Sequence, residues 1–110
     1  MSDSRRPNEF KSIFLQAIDK GLLVLGGSVG DSIFYYLESK YHLRREQVPE
    51  QIEDFHMALE GLFGGGATVI EKLIARNLCD GLGVCFEEHD NWTLLDYVSH
   101  ARKVANASGK

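Results

Sequence analysis

Apolar residues along this chain recur at steps of three and four, in five separate stretches. Such spacing lines one side of a helix with apolar side chains, so each stretch predicts an amphipathic helix. The first starts at Asn8 as cap and carries Phe10, Ile13, Phe14, Ala17 and Ile18 on its stripe. It broadens into Leu22, Leu23, Val24 and Leu25, which predicts a far end buried on all sides. Gly26 and Gly27 break it, because glycine accepts the left-handed backbone that ends helices. The second stretch carries Val29, Ile33, Tyr36, Leu37 and Tyr41, with Ser28 as the expected cap and Asp31 three residues on. It fades at His42, and residues 43–48 read as a charged connector anchored by Leu43 and Val48.

Residues 49–82 are the stretch around which this pattern is organised. Ile52, Phe55, Leu59, Leu62 and Phe63 make one stripe, and Val69, Ile70, Leu73, Ile74 and Leu78 make another. Gly64, Gly65 and Gly66 separate the two, which predicts a pair of helices hinged at the glycines. Pro49 is the expected start of the pair, since its fixed backbone angle suits a first turn. Thr68 is placed to help cap the second member, and Gly81 and Gly83 to stop it. Residues 84–86 form a short extended piece. A last helix from Trp92 onward turns Leu94, Leu95, Val98 and Ala101 inward. The expectation is an all-α fold: a compact bundle of about five helices with a glycine-hinged central pair. It occupies residues 8–107 as one domain behind a loose tail at residues 1–7.

At 110 residues the chain is long enough for one continuous core and too short for two. Apolar residues make up 44% and charged residues 25%, a globular composition that argues against wholesale disorder. The longest apolar run, residues 22–25, is far too short to span a bilayer. Residues 1–8 hold no apolar secretion core, so the expected location is the cytoplasm. Net charge is −4 and the pI about 5.5, which counts against a nucleic-acid binder, whose affinity rests on phosphate contacts. Outside the pairs Arg5-Arg6 and Arg44-Arg45, basic residues are scattered.

Candidate chemistry is sparse. Cys79 and Cys85 are expected as free thiols. With His89 they are three possible zinc ligands, but neither a CxxC nor an HxxxH pair is present, so no metal is expected. Residues 61–68 have the spacing of a phosphate loop, yet Ala67 stands where its lysine belongs and a helix precedes it. No cofactor is expected. His56 lies at the edge of an apolar stripe and reads as a satisfied boundary residue. Glu87, Glu88, His89 and Asp90 form the densest polar cluster, but neighbours on a turn do not converge on one point. Cys79 and His56 make a thiol–imidazole pair only if the fold joins them. The chain is therefore expected not to be an enzyme.

Two non-catalytic readings remain. One is a protein-interaction module, binding an unidentified partner or a second copy of itself. Aromatic clusters mostly serve core packing, but the abundance of apolar residues, above all at 22–25 and 34–36, is expected to leave some exposed as a partner patch, with Phe34, Tyr35 and Tyr41 as candidate contacts. The other is a DNA-binding regulator of helix-turn-helix shape, with Lys72 and Arg76 one turn apart on the helix after the hinge. Glu71 and the apolar remainder of that helix count against it, so a nucleic-acid partner is the lesser expectation.

Several stretches also carry a resemblance. They are Gly27-Ser28-Val29 through Ile33-Phe34-Tyr35-Tyr36-Leu37-Glu38, then Pro49, Phe55, Ala58-Leu59 and Leu62-Phe63-Gly64. The run from Gly66-Ala67-Thr68 to Leu73-Ile74 follows, and an aromatic and acidic turn precedes Asp96-Tyr97-Val98. Over about residues 20–100 the chain resembles a family of small archaeal domains proposed as signal-output modules in ammonia-oxidising archaea and their relatives. The resemblance implies an all-helical domain with a signalling role, and it transfers no catalytic or ligand-binding residue. Gly65 stands where the family pattern has a proline, and the tail before Phe10 and Cys85 fall outside the likeness.

Overall fold

A computed structural model of the chain describes residues 7–108, and the side chains of residues 9–106. The expected tail lies outside the described residues apart from Pro7, which opens the first helix. Five α-helices follow in order: α1 (Pro7–Leu23), α2 (Val29–Tyr41), α3 (Ile52–Phe63), α4 (Ala67–Leu82) and α5 (Leu94–Ser108). Two 3-10 helices, Arg45–Glu50 and Gly64–Gly66, join α2 to α3 and α3 to α4. No strand occurs among the described residues, and the fold is the five-helix all-α bundle that the apolar spacing predicts. Phe14, Ile18, Leu37, Phe55, Ile74 and Leu94 are closed to solvent, so every helix contributes to one core.

The central packing is between α1 and α4, which meet along more of their length than the hinged pair α3 and α4. Two glycines make that approach possible. A Cβ on Gly21 would lie 2.7 Å from Ile74 Cγ1 and 3.2 Å from the Ile74 backbone nitrogen. A Cβ on Gly81 would lie 2.6 Å from Ile13 Cγ2. Each helix thus offers one glycine gap to an isoleucine of the other, in reversed order along the two helices, so they run antiparallel. Gly81 is not a stop signal; it lies within α4 and receives Ile13. Gly83 is the stop, with φ +74° and its N–H bonded to the Asp80 carbonyl. α5 covers α4 and α3.

Other helix ends also depart from the expected pattern, each for a local reason. Asn8 lies inside α1 rather than capping it. α1 ends at Leu23, and the Leu25 and Gly26 amides bond back to the Leu22 and Leu23 carbonyls at 3.0 Å each. That turn, completed by Gly26 at φ +128°, lifts the chain off the core. Leu23 and Val24 are consequently 64% and 68% exposed, while Leu22 alone of the run is buried. Ser28 makes no side-chain cap; its carbonyl instead accepts the Ser32 amide and hydroxyl. Thr68 is likewise inside α4 and caps nothing.

Pro49 does not start α3. It is buried with Val48 in the Arg45–Glu50 3-10 helix, and Gln51, at φ −134° and ψ 55°, redirects the chain before Ile52. Leu43 is buried as expected, because His42 at φ 55° turns the chain and the Leu43 amide bonds to the Leu37 carbonyl. Leu62 and Val69 flank the hinge and are exposed, since α4 turns its buried side to α1 more than to α3.

α5 starts at Leu94, not Trp92. The Thr93 amide donates to Asp96 Oδ2 at 3.0 Å, which satisfies one of the amides a helix start leaves open. Asp96→Ala is expected to cost about 1 kcal/mol of stability, measured by urea unfolding. An unchanged midpoint would show that this cap contributes nothing.

Candidate functional site

The corner between α1 and α2 leaves three consecutive apolar side chains, Leu23, Val24 and Leu25, to solvent, while Met57, Leu62 and Val69 are exposed on α3 and α4. α2 approaches α1 closely there, since a Cβ on Gly30 would sit 3.6 Å from Leu22 Cβ. Beside the exposed residues 23–25 lies a concavity of about 260 Å³, walled by Leu22, Leu23 and Phe34. Gly26, Gly27 and Gly30 line it without filling it, and a Cβ at Gly27 would meet nothing within 4 Å. Asp19, Asp31 and Arg45 make the polar rim. Arg45 grips both Asp19 carboxylate oxygens, with Nε 3.2 Å from Oδ1, and its guanidinium carbon lies 6.0 Å from the centre of the Phe34 ring. Asp31 joins no ion pair among the described residues.

The aromatic contact residues expected from sequence do not form one surface. Phe34 is half-buried and lines the concavity. Tyr35 is 76% exposed and stands apart from the core. Tyr41 is half-buried, packed edge-on against Tyr36 with ring centres 6.0 Å apart, and its hydroxyl lies 3.8 Å from the Cβ position of Gly61 on α3. Residues 23–25 are the part of the apolar run that stays exposed, as a partner patch there would require and against the expectation of a helix end buried on all sides.

A second polar constellation joins α3, α4 and α5. Glu71 is only 3% exposed, the sole buried charged residue among those described. Its Oε2 meets His56 Nδ1, and its Oε1 accepts the Leu94 amide of α5 at 3.0 Å. Glu60 Oε2 lies 3.5 Å from His56 Nε2 on the outer side. Burial pushes the Glu71 carboxyl above its usual range, and the His56 and Leu94 bonds pull against that. The result is a carboxylate that starts one helix and ties down another. His56 is thus a half-buried, partnered residue at the stripe edge, as the sequence predicts, while the partner itself, Glu71, was not foretold.

The remaining candidates are occupied elsewhere. Lys72 Nζ lies 2.6 Å from Glu88, a bond that raises the lysine's pKa and lowers the glutamate's. The Arg76 guanidinium sits 5.0 Å over the centre of the Phe86 ring. Both cations therefore fasten the segment between α4 and α5. In that segment the Tyr97 hydroxyl accepts the His89 amide at 2.8 Å and donates to its carbonyl at 2.9 Å. The His89 ring stacks on Trp92 at 3.9 Å. These polar residues hold a turn in place and do not converge on a reacting centre.

Cys79 is buried, Cys85 is exposed and both are free. Burial raises the Cys79 thiol, with Asp80 and Cys85 adding to the effect, the opposite of what activates a nucleophile. His56 is not among its partners. No group of three metal-ligating side chains is found among the described residues, and none of their helices is long and apolar enough to cross a membrane. No protein-family model matches the chain, and neither the curated proteins nor the solved structures give a match.

Proposed function

We propose that the chain is a non-catalytic interaction domain of the signal-output kind, acting in the cytoplasm by binding another protein through the α1–α2 corner. The observation that carries this reading is the apolar run at residues 23–25, exposed beside a concavity walled by Leu22, Leu23 and Phe34. Exposed apolar surface gathered in one place costs solubility and commonly marks a contact site. The polar candidates support the same reading from the other side, since Glu71, His56, Lys72 and Arg76 all have partners within the fold. The likeness to archaeal output domains agrees with it. DNA binding through Lys72 and Arg76 would first have to break the Lys72–Glu88 bond and free Arg76 from Phe86.

Affinity capture from an extract of the host, run with and without nuclease, tests the proposal. The same proteins are expected in both runs, and their retention should fall when Leu23 and Val24 are changed to serine. Retention should be unchanged in His89→Ala and Cys79→Ser. Retention that disappears on nuclease treatment would instead support the nucleic-acid reading, and a protein of the chain's own mass alone would indicate a homodimer.

A further inference from the structure

The α1–α2 concavity restricts what can sit in it. At about 260 Å³ it is below the roughly 300–1,000 Å³ of pockets that enclose whole small ligands. It suits one or two side chains of a larger partner. Its walls, Leu22, Leu23 and Phe34, call for an apolar group. The open space beyond Gly27 allows a backbone to come close, because no Cβ stands in the way. The rim decides the sign of the neighbouring charge. Arg45 is engaged by both oxygens of Asp19, so it is poorly placed to receive an anion. Asp31 faces the same space with no ion-pair partner among the described residues. The chain's net charge of −4 adds the same preference at longer range.

From this geometry we infer that the concavity binds a cationic amphipathic peptide segment of a partner, an apolar side chain entering between Leu23 and Phe34 and a neighbouring Lys or Arg meeting Asp31. The inference rests on the reading of this corner as a protein-contact surface and names the chemistry of what it contacts. Directional discrimination comes from Asp31, since like charge placed across an interface is strongly disfavoured. Depth comes from the walls. An acidic segment fails on the first count and a wholly polar one on the second.

A random dodecamer phage library panned on the full chain tests it, with Gly27→Trp and Asp31→Lys as counter-targets. Gly27 lines the concavity, has no positive φ and leaves its Cβ direction open, so a tryptophan adds bulk at the edge of the concavity without straining the fold. Circular dichroism of each variant checks that the helices remain. The expected binders pair a large apolar residue with Lys or Arg, and lose about tenfold or more in affinity on either variant. Enrichment of acidic peptides, binders indifferent to both variants, or no enrichment at all would overturn the inference. If host-protein capture still depends on Leu23 and Val24 after such a result, the interaction reading survives and the cationic-peptide inference alone falls. Loss of both removes both.

Discussion

Replacing Gly21 with valine should destabilise the protein by about 3 kcal/mol or more, beyond the common cost of overpacking a core. The reason is what a Cβ at this position would strike. Ile74 Cγ1 is 2.7 Å away on a fully buried, β-branched side chain, and the Ile74 backbone nitrogen and Cα lie at 3.2 Å and 3.3 Å and cannot give way at all. Relief therefore requires α1 and α4 to separate, and that pair is the most extensive helix contact in the bundle. Gly21→Ala meets the same backbone with a smaller group. It should cost about 1–2 kcal/mol, because overpacking is partly offset by alanine's higher helix propensity.

Gly81 provides the control. Its Cβ would meet Ile13 Cγ2 at 2.6 Å and Ile13 Cβ at 3.9 Å but no backbone atom, and Ile13 is only half-buried, so a change of its χ1 rotamer can relieve the contact. Gly81→Ala should stay within about 1 kcal/mol of the parent. Urea unfolding of double mutants separates the two cases. Ile13→Ala should remove whatever penalty Gly81→Ala carries, whereas Ile74→Ala should not rescue Gly21→Val. Rescue in the second case would show that side chains, not backbones, set the distance between α1 and α4.

Glu71→Ala is the second substitution expected to matter, with a loss of about 2–3 kcal/mol from leaving buried hydrogen-bonding groups unpaired. It strips the Leu94 amide of its acceptor and leaves His56 Nδ1 without a partner. Glu71→Gln keeps the shape and an acceptor, so it should fall within about 1 kcal/mol of the parent. The pair of variants also reads the charge. Burial raises the folded carboxyl's pKa above the ordinary value of 4.5, against the pull of His56 and the Leu94 amide. A raised carboxyl means that the folded state holds its proton more tightly than the unfolded chain. Stability relative to Glu71→Gln should therefore fall as pH rises from about 4.5 through the raised value, and be flat outside that window. A difference that grows with pH instead would mean that the His56 and Leu94 bonds outweigh burial.

The helices were legible in the sequence because each stripe repeats through about two turns or more and the glycines at the stops are strong local signals. Phe14, Ile18, Ile33, Leu37, Phe55, Leu59, Ile74 and Leu78 are buried where periodicity places them. What periodicity cannot supply is which stripe meets which. Gly64–Gly66 does hinge α3 and α4, yet α4's main partner is α1, through glycines that read as an unremarked interior residue and a stop signal. The same gap explains Glu71. On the sequence it is a charge beside Lys72, and only the arrival of α3 and α5 gives it His56 and the Leu94 amide. Pro49 shows the limit at helix ends, where burying Val48 and Pro49 overrides a good first-turn signal.

The contact face was partly legible. Phe34 was singled out and does wall the concavity, while Tyr41 packs toward α3. Residues 22–25 carry two readings in the sequence, a helix end buried on all sides and an exposed partner patch, and a turn of two backbone hydrogen bonds takes residues 23–25 out of the core.

Amide hydrogen exchange on the chain with and without its captured partner tests that assignment most directly. The account predicts slowed exchange at residues 22–31 on binding, with α4 around Lys72 and Arg76 unchanged. Protection centred on Lys72 and Arg76, with residues 22–31 exchanging as in the free chain, would contradict it.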